Sequence, residues 1–88
     1  MITRTEKPRT LNEVVVDRIN YFLPRTCGSQ YMLAEISGVP YPTIKSIMQR
    51  RTKGITLKTV FMIARAFRVS VSEFFDDPTF CSDNLALE

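Results

Sequence analysis

Residues 30–48 set two short helical periodicities around a single glycine, and this arrangement constrains the fold more than any other feature of the chain. From Gln30 to Ser37, with Ser29 as cap, Leu33 and Ile36 are expected to face inward, with Ala34 beside them. Ala34 must be small if a following helix crosses close over it. Gly38 then stops the helix in the left-handed conformation that an L-residue with a Cβ adopts only at a free-energy cost. Pro40-Tyr41-Pro42 follows. A residue before proline avoids the α region, so Tyr41 is expected to be extended. Proline suits the first helical position, so the next helix is expected to start at Pro42 and run to Gln49. Ile44, Ile47 and Met48 would be its buried face, and Thr43, Lys45, Ser46 and Gln49 its polar face. Two short helices meeting at a glycine turn, the second basic on its outer side, make a helix-turn-helix whose second helix can enter a major groove.

The flanking segments supply the rest of an all-α core. Thr10-Leu-Asn-Glu13 fits a capping box and opens a helix over 10–24. Leu11, Val15, Ile19 and Phe22 form its stripe, widened by Val14 and Leu23, and Pro24 ends it. Thr56 caps a helix over 57–67 with the stripe Leu57, Val60, Phe61, Ala64 and Phe67, and Ile63 alongside. Ser70-Val-Ser-Glu73 is a second capping box, opening a short helix over 71–76 that buries Phe74. No β-alternation persists and no repeat is visible. Residues 1–9, with Arg4, Lys7 and Arg9, read as a flexible basic arm, residues 10–77 as the domain, and residues 78–88 as an acidic tail.

Charge divides the chain sharply. Residues 1–70 hold all 12 Lys and Arg against Glu6, Glu13, Asp17 and Glu35, a balance of +8. Residues 71–88 hold five acids and no cation. No acid lies between Glu35 and Glu73. A basic body of this kind points to a polyanionic partner, nucleic acid first.

Composition removes other classes. There is no histidine, hence neither the commonest general base nor the commonest metal ligand. Two distant cysteines, Cys27 and Cys81, do not make a zinc site and are expected to be free thiols. No metal or cofactor is expected, and no nucleophile–base or carboxylate pair emerges, so an enzyme is not expected. The longest apolar run, residues 60–64, is far short of the roughly 20 residues of a bilayer span, and the N-terminus has no secretory pattern. The expected setting is cytoplasmic.

The stretch LAEISGVPYPTIKSIMQRRTKGITLKTVFMIARAFRVSVSEFF resembles the helix-turn-helix of the phage-repressor and Cro type, the XRE-like regulators. The likeness runs over roughly residues 11–76 and includes Leu33-Ala34, Ser37-Gly38-Val39, Thr43-Ile44, Leu57-Lys58-Thr59 and Ile63-Ala64-Arg65-Ala66. It implies a compact five-helix domain of the lambda-repressor type that binds specific double-stranded DNA as a homodimer and regulates transcription, by repression in the first instance. Carried over, Tyr41, Pro42, Thr43, Lys45 and Ser46 would face base edges. Gln30, Gln49, Arg50, Arg51 and Lys53 would touch phosphates. Pro42 has no N–H and could offer a base only an apolar contact with a thymine methyl. Arg50 and Arg68 stand where relatives often have a helix-ending glycine.

Other readings share the fold. An antitoxin-like or protein-interaction module would use the tail, residues 76–88, on a protein partner. Arg65 and Arg68 are expected to be solvated, and Tyr31, Met32 and Met62 to be singly exposed apolar residues. For a homodimer, the last helix and the residues after it are the candidate surface, with Phe75 turned outward and Phe80, Leu85 and Leu87 adding apolar area.

Overall fold

A computed structural model describes residues 9–51, 54–76 and 85–86. Among these residues five helices follow one another: α1 (Leu11–Phe22), α2 (Gln30–Ser37), α3 (Tyr41–Met48), α4 (Leu57–Ala66) and α5 (Val71–Phe74). A 3-10 turn, Leu23–Arg25, extends α1. The all-α expectation holds. The described residues add a two-residue parallel pairing of β1 (Arg9–Thr10) with β2 (Leu85–Ala86), too short to leave any alternation in the sequence. The arm up to residue 8 and residues 77–84, including Phe80 and Cys81, lie outside the described residues, as do Leu87 and Glu88.

Side-chain caps define the helix starts. The Glu13 N–H donates to Thr10 Oγ1 at 3.2 Å, and the Thr10 N–H donates back to Glu13 Oε1 at 2.8 Å, completing the capping box. Ser29 accepts from the Met32 N–H at 3.1 Å, Thr56 from that of Thr59 at 3.2 Å, and Ser70 from that of Glu73 at 3.0 Å. Each supplies one of the acceptors that the first turn of a helix lacks. The helix ends use positive φ: Gly38 at 81°, as expected, and Arg50 and Arg68 at 59° and 62°.

The core gathers Ile19, Leu33, Ile44, Ile63, Phe67 and Phe74, all buried, around a stack of Phe22, Phe67 and Phe74. These three rings lie 5.5–6.4 Å apart in offset parallel order.

The sequence expectations fail in phase and at boundaries. Leu11, at the first position of α1, is exposed, while Val16 is buried. α1 is covered by more than one neighbour, so its buried arc exceeds a single stripe. Ile36 is exposed at the last turn of α2, leaving Leu33 as that helix's fully buried residue. On α4 the buried face is Val60, Ile63, Ala64 and, just past its end, Phe67. Phe61 lies about 100° around from Val60 and is half exposed, and Leu57 is 69% exposed. Phe75 is half-buried against the core, edge-on to Phe74 at 5.3 Å. It is not the outward surface expected of it.

The start of α3 also differs. The helix begins at Tyr41, not Pro42, and Tyr41 is helical. The extended residue is Pro40 (φ −55°, ψ 139°), which serves as N-cap without a side-chain bond. Its carbonyl accepts from the N–H groups of Thr43 and Ile44 at 2.9 and 3.1 Å. Pro42, at the second helical position, lacks only an N–H that has no intrahelical partner there anyway.

Candidate nucleic-acid interface

Three local devices orient α3. Gly38 turns the chain with its left-handed backbone. A Cβ there would meet only the Met62 side chain, at an ordinary 3.5 Å, so φ and not space demands the glycine. Ser37 Oγ accepts from the Val39 N–H at 3.1 Å, and the buried Val39 anchors the turn. Ile44 and Ile47 then bury one side of α3 against the core. Met48 packs partly against the core as well, and Tyr41, Pro42 and Lys45 are left exposed on the other side.

Pro42, Lys45, Ser46, Gln49 and Arg51 line one open depression on that outer side. Five of the ten expected contact residues are thus brought together, with two cations and no acid among them. Thr43 is half-buried beside them, and Arg50 is exposed at the end of the helix. Gln30 is half-buried at the start of α2. Lys53 lies outside the described residues. The Arg51 N–H donates to the Ser46 carbonyl at 2.9 Å, and that of Arg50 to the Ile47 carbonyl at 3.0 Å. The positive φ of Arg50 folds the chain back at this point and puts Arg51 beside the helix.

Tyr41 is exposed, yet it does not lie on its own helix alone. Its ring meets that of Tyr31 from α2, centroids 5.8 Å apart at 71°, and the Lys45 ammonium lies 5.7 Å from its centroid. The Tyr31 hydroxyl hydrogen-bonds Glu35 Oε1 at 3.1 Å. That bond, and the negative charge of Glu35, raise the Tyr31 pKa above the usual tyrosine value. In the sequence Tyr31 reads only as an exposed apolar residue. Its i, i+4 spacing to Glu35 is visible there, but its contact with Tyr41 crosses between helices and leaves no mark in a periodicity.

Arg18 carries no signal in the sequence that marks its role. Its guanidinium donates to the carbonyls of Phe74 (2.6 Å) and Glu73 (3.0 Å) and lies over the ring of Phe22. It binds the end of α5 to α1 and has no part in the α3 face.

Among the described residues no group of His, Cys, Asp and Glu is placed to hold a metal ion, and no helix is long and apolar enough to cross a membrane. Cys27 is a half-buried free thiol, its Sγ 3.9 Å from the Ala66 carbonyl oxygen.

Neither the curated proteins nor the solved structures contain a match to this chain. A family model described as helix-turn-helix matches residues 28–74, more than half of the sequence, from Gly28, just before the cap of α2, to Phe74. The matched span carries the glycine turn, the α3 face, and α2, α4 and α5. The chain therefore belongs to the phage-repressor and Cro type of helix-turn-helix proteins, the XRE-like family of DNA-binding regulators.

Proposed function

We propose that the chain is a sequence-specific repressor that lays α3 in the major groove of double-stranded DNA. The observation that carries this reading is the depression lined by Pro42, Lys45, Ser46, Gln49 and Arg51, which is open, cationic and free of acids. In this assignment Tyr41, Pro42, Thr43, Lys45 and Ser46 face base edges. Gln30, Gln49, Arg50, Arg51 and Lys53 hold the phosphates on either side. Phosphate contacts fix the register of the helix, and the groove-facing side chains supply the discrimination. Repression then needs only occupancy of a site that the transcription machinery must also use.

The chain acts as a homodimer in this reading. One helix of this length reads only a few base pairs, and a second copy doubles the site. Leu57, Lys58 and Phe61 of α4, with Val71 of α5, line a hollow whose exposed surface is mostly apolar and support a pairing face, with the Lys58 stem at its side. This face replaces Phe75 in the role.

Selection of bound duplexes from a random pool, followed by salt titration of the best one, tests the proposal. The expected result is a palindromic site. Its log Kobs should fall linearly with log salt at about −0.9 for each phosphate neutralised. Recovery of no common sequence, or affinity indifferent to salt, would refute it.

A further inference from the structure

We propose that Tyr31 of α2 is a positioning residue for base reading: its ring holds Tyr41, and Tyr41 holds the Lys45 ammonium on the outer face of α3. The inference rests on the DNA-reading role of α3.

The three side chains form a chain of contacts that starts outside the reading helix. Tyr31 is 57% exposed and Tyr41 39% exposed, so the core fixes neither ring. They fix each other, in the edge-to-face geometry that aromatic quadrupoles favour, at 5.8 Å and 71°. Tyr31 has an anchor of its own, the hydroxyl bond to Glu35 one turn along α2. The far end of the chain is Lys45, whose ammonium lies 5.7 Å from the Tyr41 centroid, within cation–π range. Tyr41 and Lys45 are one turn apart on α3, so the ring stands beside the path of the lysine stem.

This arrangement matters because of what a lysine is. Its ammonium sits on a long stem with many rotamers, and freezing it against a base costs conformational entropy at the moment of binding. A ring that already confines the ammonium to the groove side removes part of that cost. Without Tyr31, Tyr41 is a half-exposed side chain in the first turn of a helix, with one neighbour fewer to restrict its χ1. Tyr31 therefore influences the reading of a base without touching DNA.

Two measurements on the intact chain test this. In the free protein, the ring current of Tyr41 should shift the Lys45 ε-methylene protons upfield in NMR spectra. Tyr41→Ala should abolish that shift, and Tyr31→Ala should move it part of the way towards the random-coil position. In DNA binding, Tyr31→Ala should weaken the selected duplex by about three- to tenfold, the range for one aromatic or cation–π contact. Binding to random duplex and the salt slope should stay unchanged. Tyr31→Phe keeps the ring, loses the Glu35 bond, and should stay within about twofold of the native chain. In a Lys45→Ala background, Tyr31→Ala should cause a clearly smaller further loss of discrimination than in the native chain, since only its hold on Tyr41 remains.

Equal losses on selected and random duplex would make Tyr31 a phosphate contact and overturn the proposal. So would an additive loss in the Lys45→Ala background, or Lys45 protons that ignore Tyr31→Ala. A native chain that shows no preference between duplexes, but whose Lys45 protons respond to Tyr31→Ala, has a different meaning. It overturns the reading role of α3, and the positioning role with it, while the aromatic hold on Lys45 stands.

Discussion

At the scale of single residues, Lys45 and Arg51 line the same depression and are expected to do different work. Lys45 projects from the middle of α3, where a groove-bound helix presents base edges to its side chains. Lys45→Ala should cost about 1–3 kcal/mol on the selected duplex and relax the preference at one position of each half-site. Comparing Kd on the selected site and its single-base variants tests this, and equal loss on every sequence would reassign Lys45 to phosphate. Arg51 follows the helix, turned back by the left-handed Arg50. Arg51→Ala should weaken all duplexes alike and flatten the salt slope by roughly one. A sequence-dependent loss, read from the same titrations, would place Arg51 among the base readers. The α3 positions are legible in the sequence because helical phase alone separates Ile44 and Ile47 from Lys45 and Gln49. Tyr31 is not, because what matters about it is a neighbour on another helix.

At the scale of elements, the starts of helices are more legible than their phases. Thr10, Ser29, Thr56 and Ser70 each cap as expected, because a cap is a bond between residues three apart and needs no knowledge of the rest of the fold. Phase depends on what lies opposite. Leu57 and Phe61 fit a 3.6-residue stripe as well as Val60 and Phe67 do, and only the placement of α1, α2 and α5 decides which side is covered. The first turn of α3 departs from expectation for a related reason. The restriction that Pro42 places on Tyr41 is a bias, and packing of Ile44 and Ile47 against the core outweighs it. The four residues of α5 cannot hold a helix by backbone bonding alone, since helices this short are unstable in isolation. Phe74 in the core and Arg18 at its carbonyl end compensate. Arg18→Met keeps most of the apolar stem and removes both charged bonds. It should lower unfolding stability by about 1–2 kcal/mol, the range for hydrogen bonds to a partly exposed charged group. Urea denaturation reads this directly. An unchanged midpoint would mean that Phe74 holds α5 unaided.

At the scale of the molecule, the chain measures 36 × 25 × 20 Å, and half-sites on one face of a duplex lie about 34 Å apart. With the longest axis along the duplex, two copies at that spacing would meet over a narrow edge, not a broad face. A stable dimer in solution usually buries about 800 Å² on each partner. The hollow at Leu57, Phe61 and Val71 is one patch on the short helices α4 and α5, so pairing through it should be weak until DNA holds both copies in place. A palindromic duplex supplies that effective concentration. The expected outcome is a monomer by sedimentation at micromolar concentration without DNA, and two chains per duplex on the palindrome, bound cooperatively. Phe61→Ser should leave the fold intact, since Phe61 is half exposed, and should abolish the cooperativity while sparing the affinity of a single half-site. If cooperativity survives both Phe61→Ser and Leu57→Ser, the copies meet elsewhere and the α4–α5 face is not the pairing surface.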